Sequence, residues 1–232
     1  MAFFIGVDLG QASDYTAIVV VESLILPCIR TDVTTTDTMV SHDPVFRLPD
    51  GSESRQHPPV EFALRHIERI TLGTSYPAIV ARIGQIAMRT RGATLVVDAT
   101  GVGRAIVDLL RTSGLDPYAI TITAGENVSS DGMQYRVPKR DLVGAAQLLL
   151  QTRRLKIARS LPHVDLLVRE LQNFKVKIDP RTAHDSYAAW REGDHDDLVL
   201  ALTVALWMGE RSPGLPYGFA SGRSLFSDGP CF

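Results

Sequence analysis

Carboxylates recur in this sequence where runs of apolar and β-branched residues stop. Asp8 closes Phe3–Val7, Asp98 closes Thr94–Val97, and Asp194, His195, Asp196 and Asp197 stand immediately before a long apolar stretch. In an open α/β sheet, the region beyond the strand ends is where ligands bind. Neighbouring strands can bring Asp8 and Asp98 together, and a helix N-terminus packed beside them can deliver a third acid. Converging carboxylates repel, so such a site needs cations to keep all of them ionised. Oxygen donors of this kind suit Mg²⁺ or Mn²⁺. Two such ions about 4 Å apart activate water and stabilise the leaving oxygen of a phosphodiester. The chemistry expected of these positions is metal-assisted hydrolysis.

Each acid also has a plainer use. An Asp at a strand end commonly caps backbone N–H groups in the following turn. Asp196 can be a helix N-cap and Asp197 a favourable first-turn charge. The three clusters together, in this order of elements, favour the metal site. Within the last cluster Asp197 is the expected ligand, because it lies one turn before Ala201 on the face marked by Leu198, Ala201, Leu202 and Ala205. Asp196 competes with it, and Asp194 is a candidate outer ligand. His195 is a candidate for ligating a second metal or orienting the attacking water, set against the commoner role of a solvated neighbour.

Basic residues gather at Arg136, Lys139 and Arg140, at Arg153, Arg154, Lys156 and Arg159, and at Lys175 and Lys177. Positioned cations are all that phosphate contacts require. Arg153 and Arg154 read instead as a helix end, where cations offset the dipole. Lys139 has no such helical use, since it follows a flexible loop at a helix start. Lys139, Arg140, Arg136 and Lys175 are therefore the expected DNA contacts. Gly101 and Gly103 permit a tight turn after Asp98, but neither GxGxxG nor GxxxxGK[ST] is present, which argues against a dinucleotide or P-loop site.

The elements that must position these residues follow from periodicity. Phe3–Val7 and Thr16–Glu22 read as two strands of a hairpin, and Phe62, Leu64, His66 and Ile70 alternate as a third strand over 61–70. Ala78–Met88 has helical spacing, followed by a strand at Thr94–Asp98, a helix at Gly103–Thr112 and a strand at Ala119–Thr123. Residues 125–136 read as a polar loop. Helices are expected over Arg140–Thr152, Val164–Gln172 and Asp196–Gly209, with Phe174–Asp179 and Ser186–Trp190 as a hairpin. Residues 23–59 form a loop or hairpin insertion, and 212–232 a loose tail after a single domain of 1–211. The expected fold is α/β, a mixed five-stranded sheet with three antiparallel strands and then parallel ones, flanked by helices.

Bulk properties set bounds. A chain of 232 residues with 45% hydrophobic and 22% charged residues supports one sizeable core. Its formal net charge of −2 gives no global attraction to nucleic acid, so binding must rest on local clusters. Two distant cysteines argue against a disulfide scaffold and suit the cytoplasm. No apolar run approaches the roughly 20 residues needed to span a bilayer, so no membrane partner is expected.

Several segments resemble the C-terminal nuclease domain of phage terminase large subunits, in the RNase H-like superfamily. They are Gly6–Gly10 with Asp14–Ala17, Leu72–Pro77, Val96–Gly103, Val137–Leu142 and Gly193–Leu202, in that order over most of 3–207. The resemblance implies an RNase H-like fold in which Asp8, Asp98 and one of Asp196 or Asp197 hold two Mg²⁺ or Mn²⁺ ions. It implies an endonuclease that cuts double-stranded DNA during genome packaging, with a packaging ATPase, portal or small terminase subunit as partners. No ATPase motor is expected within this chain, which then corresponds to an excised domain or a standalone nuclease. Three other readings compete: a Holliday-junction resolvase of the same fold, a non-catalytic packaging adaptor, and an actin-like ATPase. Four-way junction preference would mark the first and nucleotide affinity the last, while clustered acids argue against a pure scaffold.

Overall fold

The structure, a computed structural model, describes residues 1–10, 14–26, 29–31, 45–49, 51, 53–55, 60–101, 103–173 and 196–211. Its strands are β1 (Ala2–Asp8), β2 (Thr16–Ile25), β3 (Ile29–Thr31), β4 (Val45–Arg47), β5 (Glu53–Arg55), β6 (Val60–Ile70), β7 (Thr94–Asp98), β8 (Tyr118–Thr123), β9 (Ser129–Asp131), β10 (Gln134–Pro138) and β11 (Leu155–Ile157). Its helices are α1 (Tyr76–Arg89), α2 (Gly103–Thr112), α3 (Lys139–Gln151), α4 (Val164–Asn173) and α5 (Asp197–Arg211). The main sheet runs β11-β6-β2-β1-β7-β8-β10-β9. The five expected strands form its centre, with β6, β2 and β1 antiparallel and β7 and β8 parallel to β1.

Three further strands extend that centre. β11 joins the β6 edge, and β10 lies parallel to β8 with β9 folded back on it. The polar stretch 125–136 is thus partly a hairpin and not wholly a loop. Gly132, at φ 56°, supplies the left-handed residue that a two-residue hairpin turn demands. Within 23–59, β2 continues to Ile25, and β3, β4 and β5 form a small antiparallel sheet of their own. The expected hairpin over 174–190 and the tail over 212–232 lie outside the described residues.

Each sheet face buries a separate core. Ile5, Val7, Ile18, Val20, Leu95 and Val97 pack under α1 and α2, while Phe4, Ala17, Val19, Val96 and Ile120 pack under α3, α4 and α5. This alternation along each strand is what a sheet covered on both sides requires. α5 is buried almost all round, from Leu198 to Gly209, because the sheet lies on one side of it and α3 and α4 on the other. It sits very close to β1: a Cβ on Gly6 would come within 2.0 Å of the Ala201 carbonyl oxygen.

One departure from simple alternation matters for the site. The β2–β6 register slips between Val20 and Val21, a β-bulge that skips Arg65. Before it, Val60, Phe62 and Leu64 face the α5 core; after it, Ile67 does. The regular pattern expected through His66 therefore breaks. His66 is half-buried and bonds Glu68 at 3.1 Å, and Glu68 also binds Arg82 of α1 at 2.7 Å. The slip turns Arg69 to the α5 face, where an unbroken strand would have put Glu68.

Candidate functional site

The acids come together by register. Asp8 pairs across β1–β2 with Ala17, and Ala17 pairs with Arg69 on β6. On the other side, Val7 pairs with Val97 in parallel, and Asp8 and Asp98 are the next residues on those two strands. Asp98 pairs with Ile120, and Ile120 with Tyr135. Arg69, Ala17, Asp8, Asp98, Ile120 and Tyr135 thus form one row across the sheet, with neighbouring strands about 4.8 Å apart. Ala17 and Ile120 belong to the core under α5, so the whole row faces that helix.

α5 runs back along this face. Gly209 lies against Phe62 and Phe4, Ala205 and Ala201 lie against Gly6, and Asp197 is one turn further toward Asp8. Asp98 is 6% exposed and Asp197 5%; Asp8 is half-buried. Asp196 precedes the first turn, its carbonyl accepting the Leu200 N–H at 2.9 Å, and is half-buried. Asp197 lies one turn before Ala201 and shares its sheet-facing side of α5. Asp194, His195 and Lys175 lie outside the described residues.

Asp98 also performs the plainer task foreseen for it. Its Oδ1 accepts the Thr100 N–H at 2.8 Å, and Thr100 Oγ1 accepts the Ile122 N–H at 2.9 Å, locking the turn after β7. Gly103 is needed there because a Cβ would meet the Asp98 carbonyl oxygen at 2.2 Å. On the β1 side, the Gly10 N–H donates to Thr16 Oγ1 at 3.1 Å, closing the hairpin loop beside Asp8.

Arg69 and Glu170 flank the Asp197 end of α5, and Tyr15 stacks on Arg69. Arg69 Nη2 donates to Asp197 Oδ2 at 2.9 Å, with the Arg69 side chain 14% exposed. The Arg69 guanidinium lies 3.6 Å from the Tyr15 ring centroid, a stacking worth about 0.5–2 kcal/mol when partly desolvated. Its Nε is buried and has no hydrogen-bond partner among the described residues. Glu170 of α4 caps α5, its Oε2 accepting the Leu198 and Val199 N–H groups at 3.0 and 3.1 Å. Burial pushes the Glu170 carboxyl up to about 7, helped by the Asp197 charge and opposed by the two backbone hydrogen bonds and Arg69. Tyr15 lies in a segment already singled out; Arg69 and Glu170 reach the site from 128 and 28 residues away and carry no local signal.

The donor chemistry fits a hard divalent cation, since Asp8, Asp98, Asp196 and Asp197 offer only carboxylate oxygens. Among the described residues, however, no three His, Cys, Asp or Glu side chains form a group placed to hold an ion. Asp197 carries an ion pair to Arg69. The sheet supplies two acids side by side, and the third stands beside them on an internal ion pair.

The basic residues divide by role. Lys139, the first residue of α3, is buried at 7% exposure at the end of β10, on the same side of the sheet as the strand end of β8. Arg136 and Arg140 are exposed beside it, with Arg140 Nη2 donating to the Glu126 carbonyl at 2.6 Å. Arg154 is structural, bonding the Val60 carbonyl at 2.6 Å and Glu210 at 2.7 Å.

The fold has a counterpart among solved structures. The large terminase nuclease from thermophilic phage G20c matches with a TM-score of 0.52 and 21% identity, over 88% of this chain and 80% of that chain. The same nuclease with bound zinc matches at 0.49, with 22% identity over 88% and 79%. The Thermus phage P74-26 large terminase nuclease domain matches at 0.48, with 20% identity over 88% and 77%. No family model and no curated protein matches. The first of these likenesses shows the fold: this chain has the RNase H-like architecture of a large terminase nuclease.

Proposed function

We propose that this chain is an endonuclease that hydrolyses DNA phosphodiester bonds with the help of Mg²⁺ or Mn²⁺. The observation that supports this reading best is the register of β1 and β7. It sets Asp8 and Asp98 side by side on the face where α5 begins with Asp197. Two carboxylates on neighbouring parallel strands, beside a helix start bearing two more acids, need a cation for their mutual repulsion to be tolerated.

In this reading Asp8, Asp98 and Asp197 hold the ions, with Asp196 and Asp194 as further oxygen donors and His195 near the attacking water. A bound pair of ions supplies the charge that activates water and steadies the leaving oxygen. The chain's own part is to align the carboxylates and to hold the duplex. Arg136, Lys139, Arg140 and Lys175 meet the phosphate backbone, which asks only for positioned cations. The nuclease unit spans 1–211, with 23–59 as an insertion and 212–232 as an appended tail.

In this reading the duplex substrate is concatemeric viral DNA, the substrate implied by the resemblance to terminase nucleases. A packaging ATPase, portal or small subunit would then be the partners, in the host cytoplasm. Among the described residues, no helix is long and apolar enough to cross a membrane.

The test is cleavage of supercoiled plasmid by the purified protein with Mg²⁺ or Mn²⁺, beside an EDTA control and Asp98→Ala. Metal-dependent nicking and linearisation, lost by at least about a thousandfold in the variant, is the expected result. Well-folded protein that leaves plasmid intact with either ion refutes the proposal.

A further inference from the structure

We propose that Arg69 is a positioning residue for this site: an internal cation that fixes the Asp197 carboxylate and sets how tightly the acids bind a metal ion. The inference rests on the nuclease reading above. Three linked features point to it. The β-bulge between Val20 and Val21 turns Arg69, and not Glu68, toward α5. The resulting row places Arg69 two strands from Asp8, separated only by the small Ala17. The guanidinium is then clamped between the Tyr15 ring at 3.6 Å and Asp197 Oδ2 at 2.9 Å.

A planar guanidinium held on both sides has little freedom, so the carboxylate it grips is also held. Alignment is therefore its first contribution. The second is electrostatic. A fixed positive charge among these acids weakens their pull on an added cation, and does so strongly because Arg69 and Asp197 are both largely buried. Arg69 thus trades ion affinity for ion placement. A purely structural arginine would give no such trade.

Two variants separate the contributions. Arg69→Gln removes the charge, and Arg69→Lys keeps the charge while losing the planar fork. Mn²⁺ binding is measured by the electron paramagnetic resonance signal of free Mn²⁺, without DNA. Plasmid cleavage is measured at saturating Mn²⁺, and folding is checked by thermal unfolding in EDTA. Arg69→Gln should bind Mn²⁺ at least about threefold more tightly than the parent, yet cleave at least about tenfold more slowly. Arg69→Lys should bind Mn²⁺ as the parent does and cleave at an intermediate rate.

Folded Arg69→Gln that binds Mn²⁺ equally or more weakly, or cleaves at the parent rate, overturns the inference. Should Arg69→Gln not fold, Arg69→Lys decides: parent-level cleavage overturns it, and slowed cleavage with unchanged Mn²⁺ affinity supports it. A parent protein that binds no Mn²⁺ and cuts nothing overturns the nuclease reading itself, which distinguishes the two failures.

Discussion

Replacing Glu170 by Gln should make the protein's stability less sensitive to pH between about 4.5 and 7. Glu170 is 6% exposed, and its carboxyl is raised from 4.5 to about 7, chiefly because burial disfavours the charge. The native state therefore keeps this proton to about pH 7, while the unfolded chain releases it near 4.5. Between those values the native state binds more protons, so stability falls as pH rises. The full cost is present above pH 7 and absent below 4.5. That rise corresponds to at most about 3.5 kcal/mol, and relaxation of the α5 start lowers this to about 2–3 kcal/mol. Gln retains an acceptor for the Leu198 and Val199 N–H groups and carries no charge at any pH. In EDTA, the melting temperature of Glu170→Gln minus that of the parent should rise by about 4–10 °C between pH 5 and pH 8. Parallel pH profiles for the two proteins, or a difference that shrinks with pH, would refute the reasoning.

Gly6→Ala should destabilise by at least about 2 kcal/mol in urea unfolding, because the new methyl meets the Ala201 carbonyl and α5 must lift from β1. The same lift should reduce cleavage more than an equal loss of stability made far from the site. Arg136→Ala with Arg140→Ala should weaken binding to duplexes of any sequence and lower the slope of log affinity against log salt by about one per lost phosphate contact, read by fluorescence anisotropy. An unchanged slope would remove these two residues from the DNA surface.

The parts of the fold legible in the sequence were those written in local pattern. Phe3–Asp8, Thr16–Glu22 and Thr94–Asp98 are dense in apolar and β-branched residues, and all became central strands. Asp8 and Asp98 were legible for the same reason, since each closes such a run. β11, of three residues, had no pattern of its own and exists because β6 offered an edge. β9 and β10 had a usable signal in Gly132, which opens the two-residue turn Gly132-Met133 within a polar stretch. The bulge in β6 was invisible because His66 kept the apparent alternation intact while the backbone changed phase. That hidden slip is also why Arg69 went unassigned. Glu170 sits on an ordinary amphipathic helix, and its capping of α5 is a tertiary fact no spacing could convey.

The position of α5 gives the molecule a timetable. β1 is complete by Asp8, but the helix that covers its Phe4 and Gly6 begins about 190 residues later. At usual rates of synthesis that is a wait of roughly 10–40 s. Until then the central strands present a bare apolar face, and Asp197 is not yet available to stand near Asp8 and Asp98. A nascent chain is thus both unfinished as a solid and incomplete as a set of acids. The cover of the central strands and the Asp197 carboxylate arrive with one helix, so neither is present in the chain until α5 has been made.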